Sequence, residues 1–138
     1  METALAVVTQ ETHSISSDAD VVRVRQSVRN LAVAAKLSLV DQTKLVTAAS
    51  EIARNTLEYG GGGELLIETL RDGIRRGLRL TFSDQGPGIS DIPRAMTDGY
   101  TTGGGLGLGL SGAKRLSTEF DLQSTPGKGT RVMLGRWR

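Results

Sequence analysis

Asp84-Gln85-Gly86-Pro87-Gly88-Ile89 is the stretch that decides the fold, because it ends an alternating segment in which polar residues separate Leu78, Leu80 and Phe82. Such alternation predicts a strand with one buried face and one solvated face. The strand ends on a carboxylate and two glycines follow at once, so a fixed hydrogen-bond acceptor stands beside backbone without side chains. The stretch therefore predicts a strand end that faces a ligand.

A glycine-rich run, Gly103-Gly104-Gly105-Leu106-Gly107-Leu108-Gly109, lies shortly after this stretch. We expect a helix over about 106–118, so that free N–H groups of the run stand at a helix N-terminus, where phosphate binds well. Asp84 would accept a hydrogen bond from the adenine amino group, and Gly86 and Gly88 would let the purine lie against the backbone. Together the two stretches predict a nucleotide site without a Walker loop.

Composition restricts the other possibilities. The chain has 138 residues, which suits a single domain (1–138) that begins, over 1–10, with a loosely ordered segment or an edge strand. A net charge of +2 argues against nucleic acid as a partner, and the absence of cysteine excludes disulfides and cysteine nucleophiles. No apolar run approaches the ~20 residues of a membrane helix. We therefore expect a cytoplasmic protein that contacts no membrane.

Two amphipathic helices are predicted ahead of the hairpin that contains the Asp84 strand. The first begins at Ser17, with Asp20 three residues later as in a capping box. The second runs from about Leu39 to Tyr59 with Asp41 as its expected cap, and a run of four glycines ends it. Their apolar stripes comprise Val21, Val24, Val28, Leu31 and Ala35 in the first helix, and Leu45, Ala49, Ile52 and Thr56 in the second.

Glu51 and Asn55 lie one turn apart in the second helix, on one side and next to its apolar stripe. The plain alternative is a solvated surface pair. Beside a nucleotide, Asn55 would give Mg²⁺ one side-chain oxygen in addition to phosphate oxygens. Glu51 would take a proton from an attacking hydroxyl, and Thr130 would support that base through its hydroxyl or a water.

The strand that ends at Asp84 is predicted to form a hairpin with 64–70, and residues 91–98 are predicted to form a short helix. A final strand pair, 120–124 and 130–134, is connected by a turn at 125–129. Helices gathered on one face of a mixed, mostly antiparallel sheet are the economical arrangement of these elements. The predicted fold is thus an α/β (α+β) two-layer sandwich.

Each motif is weak alone, since Asp-x-Gly-x-Gly also occurs in calcium loops and ordinary turns, but their order along the chain is specific. The stretches 51–55, 84–89, 102–110 and 127–130 resemble the N, G1, G2 and G3 boxes of the GHKL ATPase superfamily of gyrase, Hsp90, histidine kinases and MutL. Within it, about residues 12–137 resemble the stand-alone serine kinases of bacterial partner switching, in particular the stressosome switch kinases. The sequence contains no phospho-accepting histidine helix, which argues against a complete sensor histidine kinase.

The resemblance implies a Bergerat ATP-binding fold and transfer of phosphate from Mg-ATP to a serine or threonine of a STAS-domain partner. It also implies that the released kinase activates a PP2C-type phosphatase through that enzyme's regulatory domain, in a stress or sigma-factor pathway. Carried over box by box, the implied site residues are the base Glu51, the magnesium ligand Asn55, the adenine acceptor Asp84 with its floor Gly86 and Gly88, and the lid Gly103–Gly109.

Two other outputs remain open at this point. One is an ATP-gated binding module that activates a phosphatase or acts as an anti-sigma factor, with little or no phosphotransfer. The other is an anti-sigma kinase that binds a sigma factor directly. Glu51 separates kinase from binder, because turnover needs the base, whereas binding needs only Asp84 and the glycines.

Overall fold

A computed structural model describes residues 5–89, 92–96 and 109–138, and within them five strands form one sheet. The strands are β1 (Leu5–Ile15), β2 (Gly63–Asp72), β3 (Arg75–Asp84), β4 (Glu119–Thr125) and β5 (Gly129–Trp137). Their order across the sheet is β1-β2-β3-β5-β4. All four neighbouring pairs are antiparallel, so the sheet expected to be mixed contains no parallel pair in the described residues. The edge strand expected near the N-terminus is β1.

Four helices are described: α1 (Asp18–Ala34), α2 (Leu39–Glu58), α3 (Ile92–Ala95) and α4 (Gly109–Arg115). The apolar stripes of α1 and α2 pack on the sheet, α4 packs against α2, and their buried residues form one core cluster with the sheet, so the predicted two-layer sandwich is confirmed. None of these helices is long and apolar enough to cross a bilayer. The sheet side of the core includes Leu65, Ile67, Leu78, Leu80, Phe82, Val132 and Leu134.

The predicted start of α1 is confirmed with one difference in its hydrogen bonds. The Ser17 hydroxyl accepts from the Asp20 N–H, as an N-cap does. In a capping box the acid would reach back to the N–H of the cap, but Asp20 accepts from the N–H and the hydroxyl of Ser16 instead. The shorter Asp side chain therefore ties down the residue before the cap.

The expected cap of α2 was wrong. The N-cap is Ser38, whose hydroxyl accepts from the Asp41 N–H at 3.1 Å. Asp41 lies three residues inside the helix, where an acid is also favoured by the helix dipole, so its position in the sequence resembles that of a cap. Its carboxylate accepts from Nε of Arg136 at 2.9 Å and joins the helix to β5.

The other boundary differences have local causes. The last main helix was predicted to reach Thr118 but ends at Arg115. Thr118 directs its N–H and its hydroxyl to the carbonyl of Gly135, so it already belongs to the sheet edge. The start predicted at Leu106 lies outside the described residues, as do 91 and 97–98 of the short helix. The β2–β3 hairpin and the β4–β5 pair form as predicted.

Candidate nucleotide site

Asp84 ends β3, as the sequence predicted, and is half-buried. Its Oδ1 accepts two hydrogen bonds, from the N–H of Gly86 at 2.9 Å and from the N–H of Thr130 at 3.3 Å. Within the described residues no hydrogen bond reaches its other oxygen, Oδ2. One carboxylate oxygen therefore organises the loop, and the other remains an available acceptor.

Gly60, just beyond the end of α2, lies against the Asp84 carboxylate. A Cβ built on Gly60 would stand only 2.6 Å from Oδ2, far inside van der Waals contact. The N–H of Gly60 donates to the carbonyl of Asn55 at 3.3 Å, so the same glycine closes the end of the helix that carries the predicted metal ligand. Sequence reasoning used the run 60–63 only to end the helix. Four glycines where one suffices were the signal that a close approach was needed.

The loop that follows Asp84 is fastened to the β4–β5 turn. The carbonyl of Pro87 accepts from the Gly127 N–H at 2.7 Å, and the Ile89 N–H donates to the Ser124 hydroxyl at 2.7 Å. Two motifs that are 40 residues apart in the sequence thus form one unit. The hydroxyl of Ser124, which the sequence did not single out, is central to this unit.

The two glycines of the loop are required by the packing of the chain itself. A Cβ on Gly86 would stand 2.7 Å from the Cα of Gly60. Gly88 has a φ of 77°, which other residues rarely adopt, and a Cβ there would collide with the carbonyl of Thr125. This packing explains glycine at both positions without a ligand, so their role as an adenine floor stays a prediction.

Thr130 lies beside Asp84. Its N–H donates to that carboxylate, and its hydroxyl pairs with the hydroxyl of Ser124 at 2.8 Å. In the described part of the chain no direct contact links Thr130 to Glu51. The structure therefore brings Thr130 together with Asp84, the predicted adenine acceptor. It shows no direct bond through which Thr130 would support Glu51 as the base.

Glu51 and Asn55 are both half-buried on α2, about 6 Å apart along the helix axis. The end of this helix lies against the end of the sheet, because a Cβ on Gly63 would stand 2.8 Å from the methyl group of Thr56. Gly63 is the register partner of Asp84. The last turns of α2 thus run past Asp84, with Asn55 the nearer of the two predicted residues and Glu51 one turn further away.

A cavity of about 260 Å³ opens at the ends of β3, β5 and β4. Asp84 and Thr130 line it, and so do two cations, Lys128 and Arg131, to which the sequence assigned no role. Glu51 and Asn55 are not among its lining residues. The predicted lid residues 103–108 lie outside the described residues, and Gly109 is the first residue of α4. The cavity therefore lies at the strand ends beside Asp84 and does not extend to Glu51 or Asn55.

The donor set can be tested for magnesium. Among the described residues there is no group of three or more acidic or histidine side chains that could hold a metal ion alone. Mg²⁺ prefers oxygen ligands and keeps several waters, so one amide oxygen from Asn55 with phosphate oxygens suffices for a nucleotide-bound ion. The residues present fit Mg²⁺ that arrives with a nucleotide rather than a permanent metal centre.

Comparison with known proteins gives concordant matches. Residues 40–137 match the family described as histidine kinase-, DNA gyrase B-, and HSP90-like ATPase. The chain is 46% identical over 123 residues to the serine/threonine-protein kinase RsbT of Bacillus subtilis, covering 89% of this chain and 92% of that protein. It is 31% identical to an anti-sigma F factor of Thermoanaerobacter, over 81% of this chain and 85% of that protein.

A solved structure shares the fold. The crystal structure of the RsbU and RsbW domains of Rv1364c from Mycobacterium tuberculosis superposes with a TM-score of 0.65 at 18% identity. The match covers 95% of this chain and 33% of the other. At this identity the likeness shows the fold alone.

Proposed function

Because this chain belongs to the histidine kinase-, DNA gyrase B-, and HSP90-like ATPase family, we propose that it transfers the γ-phosphate of ATP to a serine or threonine of a STAS-domain partner. The chain is a serine/threonine kinase of that superfamily, consistent with its 46% identity to RsbT over nearly the full length of both proteins. What we propose beyond this relationship is the identity of the phosphate acceptor, a STAS-domain protein.

The available Oδ2 of Asp84 is the observation that carries the proposal. Asp84 is half-buried and Oδ2 makes no bond within the described residues, so a donor from a ligand can take the place of water on a charged acceptor. The adenine 6-amino group is such a donor, and Gly60 leaves the oxygen uncovered. Oδ1 of the same carboxylate accepts from two backbone N–H groups, so Oδ2 is fixed in place before the ligand arrives.

The helix beside this acceptor supplies the reactive groups. Asn55 would hold a magnesium ion through its amide oxygen, and the ion would neutralise phosphate charge. Glu51 accepts the proton of the attacking serine or threonine hydroxyl as its oxygen bonds to the γ-phosphorus and ADP leaves. Lys128 and Arg131, exposed at the mouth of the strand-end cavity, add positive charge for an anionic ligand.

Release from the STAS-domain partner would free the kinase to activate a PP2C-type phosphatase through its regulatory domain. A second candidate function is an ATP-gated binding module, a phosphatase activator or anti-sigma factor with little phosphotransfer. The 31% identity to an anti-sigma F factor favours keeping this candidate, with a sigma factor as the partner. The two functions share the nucleotide site and differ in their need for Glu51.

The experiment is transfer of labelled γ-phosphate from Mg-ATP to STAS-domain proteins encoded beside this chain. Glu51→Gln keeps the shape of the side chain and removes the base, and Glu58→Gln is the matched control at an exposed position on the same helix. We expect label on serine or threonine with wild type and with Glu58→Gln, and none with Glu51→Gln. Nucleotide binding without labelling of any candidate would favour the binding module.

A further inference from the structure

Three arginines form a row across the end of the sheet that lies away from Asp84. Arg71 and Arg76 are direct partners in the β2–β3 register. The N–H of Arg138 donates to the carbonyl of Arg76 at 3.0 Å, which continues the β3–β5 register by one residue. Directly opposed residues of antiparallel strands point to the same face, with about 5 Å between neighbours. We call these three residues the arginine row.

No member of the arginine row makes an ion pair in the part of the chain that the structure describes. Like charges directly opposite each other in a sheet are destabilising. Other arginines are matched by acids: Arg136 pairs with Asp41 at 2.9 Å, and Arg79 pairs with Glu119 at 3.5 Å. The fold thus carries three aligned positive charges at a cost to its own stability.

Apolar and aromatic side chains adjoin the row. Ile74, at the tip of the β2–β3 hairpin, is 94% exposed. Gly73 has the positive φ that a two-residue turn needs at its first position. The turn therefore does not depend on which residue follows, and its geometry does not explain an exposed isoleucine at position 74. On the other face, the guanidinium of Arg75 lies 5.2 Å from the centre of the Trp137 ring. Tryptophan and arginine are typical anchors of protein–protein interfaces.

We propose that the arginine row and Ile74 form a docking surface for an acidic segment of a protein partner. Carboxylates one turn apart on a helix are separated by about 5–6 Å, which matches the spacing of the row, and each can accept two hydrogen bonds from one guanidinium. An exposed isoleucine suits a folded partner with an apolar residue among its acids. Three cations on a chain of net charge +2 are few for a nucleic acid or a membrane surface.

The docking surface is separate from the nucleotide site. Arg76 and Asp84 are eight residues apart on β3, a distance of about 27 Å along the strand. A partner on the row therefore leaves the nucleotide site open, and both can be occupied together. The proposal stands independently of phosphotransfer.

The test uses a fluorescein-labelled helical peptide with glutamates one turn apart around a leucine, and the same peptide with glutamines. The variant Arg71→Gln/Arg76→Gln removes the opposed pair, and Arg25→Gln is the control at an exposed position on α1. Fluorescence anisotropy should show that the protein binds the acidic peptide and that the affinity falls as salt is added. The affinity should fall about tenfold or more in the double variant and should be unchanged in the control.

Thermal unfolding gives a second readout. The double variant should melt no lower than wild type, because a like-charge contact has been removed, and its ATP affinity should be that of wild type. Equal binding of both peptides, or of the acidic peptide by the double variant, would overturn the proposal. So would tighter binding of phosphatidylglycerol vesicles, duplex DNA or inorganic phosphate through the same two arginines.

Discussion

Replacing Asp84 by asparagine changes one atom of the site in a defined way. The side-chain oxygen of asparagine can still accept from the N–H groups of Gly86 and Thr130, which lie at 2.9 Å and 3.3 Å from Oδ1, so the loop keeps its anchor. The atom beside Gly60 becomes an N–H₂ donor, which meets the donor amino group of adenine. Loss of a hydrogen bond to a charged acceptor costs about 1.5–3 kcal/mol, so ATP should bind roughly tenfold to a hundredfold more weakly.

The assay is isothermal titration calorimetry with ATP and with purine riboside triphosphate, which lacks the 6-amino group. Wild type should prefer ATP, whereas Asp84→Asn should bind both ligands alike, and the difference is the coupling between the carboxylate and the amino group. Asp121→Asn, at an exposed position on β4, is the control. Unchanged ATP affinity in Asp84→Asn, or no preference in wild type, would refute the role of Oδ2.

Three further perturbations have defined outcomes. Gly60→Ala should lower ATP affinity at least as much as the asparagine change, because its methyl group displaces the carboxylate. The N–H of Ser16 is the main cause that lowers the pKa of Asp20 to about 2. Ionised Asp20 therefore stabilises the fold above pH ~4, and this contribution is lost as the pH falls towards 2. In Asp20→Asn the free energy of unfolding should depend less on pH over that range. Arg136→Ala leaves Asp41 unpaired and should cost about 1–3 kcal/mol in urea unfolding.

Each of these has a matched control. Gly73→Ala places a methyl group at a hairpin tip where nothing lies within 4 Å, so ATP affinity should not change. Asp18→Asn alters an exposed acid in the same helical turn as Asp20, and its acid unfolding should follow wild type. Arg25→Gln should leave urea unfolding unchanged. An effect of equal size in a control would mean that general strain or net charge, rather than the named contact, is responsible.

Periodicity was sufficient to predict the fold. Val21, Val24 and Val28 recur at spacings that only a helix brings to one face, and all three are buried. The alternation of Leu78 and Leu80 likewise specified the buried face of β3. These patterns involve only residues within one helix or one strand. They can therefore be read from the sequence without knowing how the elements pack.

The contacts that shape the site were not visible in the same way. The approach of Gly60 to Asp84 joins positions 24 residues apart, and the bond from Thr130 to Asp84 joins positions 46 apart. Such contacts depend on how α2, β3 and the β4–β5 turn pack together. The choice of Ser38 over Asp41 as a cap is a different kind of miss, because two acceptor-bearing residues three apart both suit a helix start.

The convergence of these segments on Asp84 links the proposed adenine acceptor to the helix that contains Glu51 and Asn55. Oδ1 is bonded to the loop after β3 and to β5, so the carboxylate cannot move without moving both. Oδ2 lies against Gly60, whose N–H is bonded to the carbonyl of Asn55. A ligand that donates a hydrogen bond to Oδ2 therefore fits only while the end of α2 keeps its position beside the end of β3. On the proposed assignment, adenine seated against Oδ2 would hold Asn55, and one turn beyond it Glu51, in a fixed position relative to the phosphates.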